Sequence, residues 1–176
     1  MLFKRKRILA MAALVVCVTG TVPAAMAQTP DAGGDPYVEA AHRAGVAVEL
    51  VVAIAGAESG YHPWALDIDG RQVYCHSREE AEQTLASLDD DANVDVGLMQ
   101  INLRFWRHRL KISKFDLLDP RTNLMYGARI LKQGLGRNGS IWRRISNYHA
   151  GSADERDRYN QQVYSIYLQY MRGDLH

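Results

Sequence analysis

Cysteine is nearly missing from this chain of 176 residues, which has only Cys17 and Cys75. A small fold stapled by disulfides is thereby excluded, and at this length a hydrophobic core can carry stability unaided. Charge of one sign is not in excess either: 21 Lys and Arg stand against 20 Asp and Glu, so no basic surface calls for nucleic acid. Past residue 27 no apolar run approaches the roughly 20 residues of a transmembrane helix. The longest covers residues 46–57 and contains Glu49. Six histidines are present, but none is paired at the helical i, i+4 spacing of a zinc protease, so no metal is expected. Internal repeats and low-complexity tracts are also missing. What remains, 47% apolar and 23% charged, is the composition of an ordinary globular domain.

The N-terminus is distinct. Lys4, Arg5, Lys6 and Arg7 precede an apolar stretch over residues 8–22 that exits through Ala25-Met26-Ala27. This pattern predicts a secretory signal peptide over 1–27, cut before Gln28. A flexible leader is expected over 28–34, rich in small and turn-forming residues, and one folded domain over 35–176. Cleavage removes four basic and no acidic side chains and leaves 17 basic against 20 acidic. The expected product is exported, soluble and without a stable membrane anchor. Cys75 is then its only cysteine, expected as a packed thiol.

The domain reads as mostly helical. Asp35 caps a first helix with Pro36 at its first position and Gly45 past its end. A second helix runs from about Val48 to Ser59, with Pro63 as its stop. Asp69-Gly70 then marks a tight β-hairpin. Ser77 and Glu80 form a capping box for a third helix, whose buried face is Ala81, Leu85 and Leu88. Asp89-Asp90-Asp91 follows as a solvated loop that lacks the ligand spacing of a calcium site. A short helix is expected over 103–110, carrying Trp106 and four basic residues. Asp119-Pro120 starts another, with Leu124, Ala128, Leu131 and Leu135 down one face to Gly136. Ser140 caps a shorter helix reaching Tyr148, and Val163, Ile166, Tyr167, Tyr170 and Met171 mark an amphipathic C-terminal helix.

Glu58 is the most informative position. Ala47, Leu50, Val51 and Ile54 share one face of the second helix, and that stripe ends on a carboxylate. Burying a carboxylate costs several kcal/mol unless it is paired or protonated. Glu58 is therefore a structural ion pair, a rim residue past the helix, or a general acid with a raised pKa.

The wider pattern separates these readings. Glu58-Ser59-Gly60-Tyr61-His62-Pro63, then Gly97-Leu98-Met99-Gln100-Ile101-Asn102, then Asn123 with Gly127 and Leu131, then Tyr148-His149-Ala150-Gly151, occur in that order. The set resembles the lytic transglycosylase family of the lysozyme superfamily, over residues 37–170. The resemblance implies a mainly α, α+β lysozyme-like fold with a small β-hairpin insert after the catalytic helix. It implies a periplasmic enzyme that cleaves the β-1,4 bond between N-acetylmuramic acid and N-acetylglucosamine in the glycan strands of peptidoglycan and leaves 1,6-anhydromuramoyl ends, with no cofactor and no metal. Glu58 is then the catalytic acid. Ser59 lies near it, Met99 and Gln100 line the glycan cleft, and Tyr148 hydrogen-bonds near Glu58 and helps set its protonation. His149 stands where the family usually has Asn, which puts any contact made by that amide in doubt. The small single-domain plan resembles members serving secretion, conjugation or pilus machines, whose components are the implied partners.

Two alternatives stay open. A lysozyme-type muramidase would need a second carboxylate, for which Asp67, Asp69 and Asp95 are the candidates. A catalytically silent scaffold would keep the fold and bind peptidoglycan only. Met99 is otherwise plain core, and Ser59 a residue of the helix C-terminus. Trp64 and Trp106 are either core aromatics or platforms for sugar rings. Residues 67–95 are an insert relative to the simplest members and either shape the cleft or dock a partner.

Overall fold

A computed structural model describes residues 34–136, 141–145, 148 and 152–175. The signal peptide expected over 1–27, nearly all of the leader, the Ser140 cap and His149 lie outside the described residues.

Helix α1, Pro36–Ala44, begins as its sequence dictates. The Asp35 carboxylate accepts from the Tyr37 N–H at 2.8 Å, and Gly45 closes the helix in the left-handed conformation. Helix α2, Val48–Ser59, is buried almost continuously from Leu50 to Ala55. It packs against α1 and against the C-terminal helix α7, Ala153–Arg172. Gly60, also left-handed, ends α2, three residues before the proline expected to stop it. Although α1 and α2 are together long and apolar enough to cross a membrane, they are bent by 117°. No single helix among the described residues would span one.

The hairpin forms as expected, with β1, Ala65–Ile68, and β2, Arg71–Tyr74, joined by Asp69 and Gly70, both at positive φ. It is half of a larger sheet. Strands β3, Val94–Val96, and β4, Ile101–Asn102, extend it antiparallel in the order β2-β1-β3-β4. Asp67 lies directly opposite Asp95 and Val96 opposite Ile101. Between β2 and β3, helix α3, Arg78–Ala86, takes its Ser77 cap, but Glu80 reaches back to the His76 N–H, one residue before the position a capping box requires. Ala81 and Leu85 are buried, whereas Leu88 lies past the helix end and is half-buried. Cys75 is fully buried in the core.

Helix α4, Leu103–Leu110, leaves β4 through an Asn102 cap. A 3-10 turn, Asp116–Leu118, leads into α5, Pro120–Leu135, and α6 covers Ile141–Ile145. Helix α5 buries Asn123, Leu124, Gly127, Ala128 and Leu131, while Leu135 at its end is half-exposed. The core is one cluster between the helices and the sheet.

Candidate active site

The last turn of α2 brings Glu58 out of the core beside the sheet. Its Oε1 accepts from the Tyr159 hydroxyl of α7 at 2.7 Å. Burial, reinforced by the nearby charges of Asp95 and Asp67, pushes the Glu58 pKa up to about 8, although the Tyr159 hydrogen bond pulls the other way. A carboxyl group with that pKa is protonated at neutral pH. The apolar stripe is thus one cause of the shift, and the cross-strand pair Asp67 and Asp95 is a second that the sequence did not place.

That pair is held by its surroundings. The Asn102 amide donates to Asp95 Oδ1 at 2.7 Å and to Asn93 Oδ1 at 2.9 Å, while its own oxygen accepts from the Phe105 N–H at 2.9 Å. One amide therefore fixes Asp95 and starts α4. Asp69 is a turn residue at positive φ.

Among the described residues, Tyr148, Met99, Ser59 and Gln100 are the other expected site residues. Tyr148 donates to the Met99 carbonyl at 2.8 Å. Burial, with the charges of Glu58 and Asp95, holds its phenol well above its usual pKa. The direct partner of Glu58 is Tyr159, only 6% exposed and likewise held protonated by burial and by Glu58. Sequence reasoning missed it. Tyr159 stands four residues before Val163 on the face of α7 that also carries Ile166, so extending that stripe by one turn finds it.

Met99 does not line an open cleft, because its side chain is fully buried. It fills the space over Gly127, where an added Cβ would collide with Met99 Cβ and Cγ. What Met99 presents to Tyr148 is its carbonyl. Ser59 is also interior, 3% exposed, with its hydroxyl within 3.0 Å of the Ala55 carbonyl and 2.9 Å of the Leu98 carbonyl. It pins α2 to the β3–β4 turn. Gln100 is half-buried at φ 43, a left-handed conformation that is strained for a side chain of this size. Its amide donates to the carbonyls of Ala65 at 3.1 Å and Gly97 at 2.9 Å. Gln100 thus braces β1 against the turn.

Asn123 holds this turn from below. It is fully buried, accepts from the Met99 N–H at 2.8 Å, and donates to the Val96 and Leu117 carbonyls at 2.8 and 2.9 Å. Gly97 sits above it at φ 78, where a Cβ would meet the Asn123 amide and the Leu117 oxygen at 2.9 Å. The Gly97, Met99, Asn123 and Gly127 blocks of the sequence are therefore one interlocked unit.

Trp64 and Trp106 are partly buried and pack on the core. Among the described residues no group of three His, Cys, Asp or Glu is placed to hold a metal ion.

A mainly helical body, a small antiparallel sheet and a protonated glutamate where they meet define an α+β protein of the lysozyme-like class. Residues 35–167 match the family of the transglycosylase SLT domain, and the chain belongs to that family. It is similar to the invasion protein IagB of Salmonella typhimurium, strains SL1344 and LT2, and of Salmonella typhi. Each is 32% identical over 144 residues, covering 77% of this chain and 77% of the relative. No solved structure matches significantly.

Proposed function

We propose that the protein is a periplasmic lytic transglycosylase whose acid is Glu58. The observation that carries this reading is a partly buried carboxyl with a pKa near 8, at the end of an apolar helix in a chain of this family. Tyr159 donates to Oε1, which leaves Oε2 to carry the proton toward a glycosidic oxygen. Proton transfer to that oxygen breaks the bond from the muramoyl anomeric carbon, and the electron pair leaves with the departing sugar. Glu58, now a carboxylate, takes the proton of the muramoyl 6-hydroxyl as its oxygen bonds to the anomeric carbon. Protons and charge balance, and the acid is restored. A tethered nucleophile of this kind is worth roughly 7–11 kcal/mol in effective molarity, so no activated water is needed. Asp67 and Asp95 supply negative potential for the positive charge that develops at the anomeric carbon.

Those two carboxylates also give the hydrolytic reading a specific basis, since either could hold a water opposite Glu58. Mass spectrometry of soluble products from purified peptidoglycan separates the two. Anhydromuropeptides are expected, each one water lighter than the reducing-end muropeptides that a muramidase would release. A product mixture lacking anhydro ends overturns the transglycosylase reading.

Tyr159→Phe tests the positioning of the acid. The Tyr159 hydrogen bond favours the ionised form, so its loss moves the Glu58 pKa, and with it the alkaline limb of the pH–rate profile, to higher pH while the rate at the optimum falls. An alkaline limb that stays in place or moves to lower pH would contradict the assignment.

We assign this reaction to the cell wall on the reading of residues 1–27 as a signal peptide cleaved after Ala27. Local wall opening during assembly of a secretion, conjugation or pilus machine is the role we assign to it. Support comes from the domain's small size and from its likeness to relatives named as invasion proteins. Recovery of components of one such machine with the protein from envelope extracts is the expected result.

A further inference from the structure

The face of α5 turned away from the site has its own character. Asn123, Leu124, Gly127, Ala128 and Leu131 face inward. Met125, Tyr126, Arg129 and Lys132 project from the other side, where with Arg43 and Ala44 at the end of α1 they line a groove of 390 Å³. Three cations line it and no carboxylate does. Glu39, the acid of α1, is engaged by Arg43 at 2.8 Å and by Arg121 at 2.8 Å. Lys132 donates to the Gly45 carbonyl at 2.8 Å, which holds its ammonium group at the junction of the two helices. Arg129 is exposed, lies 5.7 Å from the Tyr126 ring and has no ion-pair partner among the described residues.

We propose that this groove is a docking site for an acidic segment of a partner protein, one in which carboxylates alternate with apolar side chains. Charge selects the acid, because the lining carries three cations and no carboxylate, and although Arg43 is shared with Glu39 and Lys132 with the Gly45 carbonyl, the exposed Arg129 is left to meet an incoming carboxylate. Shape and lining select a protein segment. The volume accommodates a few side chains rather than a flat membrane, and Met125 with Tyr126 supplies the adaptable and aromatic contacts typical of protein interfaces. A simple inorganic anion has no use for that apolar wall. The lining of the groove shares no residue with the surroundings of Glu58. The inference does not depend on which reaction Glu58 performs.

The test titrates isotope-labelled protein with a short acetylated peptide alternating glutamate and leucine, beside its glutamine analogue and inorganic phosphate, with amide shifts as the readout. Saturable shifts are expected at Arg43, Met125, Tyr126, Arg129 and Lys132. Affinity should fall about tenfold or more for the glutamine peptide and for Arg129→Glu, with a smaller fall for Arg129→Gln, whose neutral side chain keeps the fold. Equal binding of the glutamine peptide, shifts that map elsewhere, or phosphate displacing the peptide at equal concentration each overturn the proposal.

Discussion

Replacing Glu58 with glutamine lowers the rate of anhydromuropeptide release by roughly 10²- to 10⁴-fold, the range over which a positioned general acid contributes. Glutamine keeps the shape and the acceptor for Tyr159 but has no proton to deliver. The same substitution stabilises the fold, and the sign follows from proton linkage. The folded-state pKa of Glu58, about 8, lies above its ordinary value of 4.5, so between those values the native state binds the extra proton. Stability of the unsubstituted protein therefore falls as pH rises from about 4.5 to about 8, while the variant has no such term. At pH 8 the variant should be more stable by on the order of 4 kcal/mol, and the two should converge near pH 4. Denaturant midpoints across that range measure the difference. Unchanged wall clearing by a folded variant would leave only the scaffold reading, and a pH-independent stability difference would contradict the raised pKa.

Asn123→Leu is expected to be the most damaging change away from the reacting groups. The side chain satisfies one N–H and two carbonyls with no exposure to solvent. Leucine fits the volume but abandons all three groups in the core, at a cost of about 3–5 kcal/mol. The urea midpoint should fall accordingly. Activity should fall further than stability explains, because the Met99 backbone held by Asn123 is the one that receives the Tyr148 hydroxyl. Asn123→Asp separates the parts: it keeps an acceptor for the Met99 N–H but turns an anion toward two carbonyls, and should be at least as destabilising. A loss under about 1 kcal/mol in both variants would show that the network is dispensable.

Much of the architecture was readable because its signals are local. Asp35, Ser77 and Asp119 each accept from a backbone N–H within three residues of themselves, and Asp69-Gly70 builds its turn alone; the Asn102 and Ser152 caps act the same way but were not read from the sequence. Strands β3 and β4 escaped because two or three residues carry no periodicity. Their existence depends on β1, whose residue Asp67 pairs with Asp95 across 28 positions of chain.

The site divides in the same way. An apolar helix face ending on Glu58 is a property of spacing, and the ordered blocks around Gly97, Asn123 and Tyr148 mark the family from the sequence alone. Which of those residues face the reacting carboxyl is not a local property. Met99 and Ser59 turn inward because the core needs volume over Gly127 and a hydrogen bond between α2 and the sheet turn. Tyr159, 101 positions from Glu58, becomes its partner because α7 packs along α2. The amino-acid sequence by itself determined where helices begin, which helix carries the acid and which family the chain joins, since each rests on neighbours along the chain. Only the tertiary structure decided the protonation of Glu58, because burial, the Asp67–Asp95 pair and the Tyr159 hydroxyl come from three separate parts of the chain and act through space.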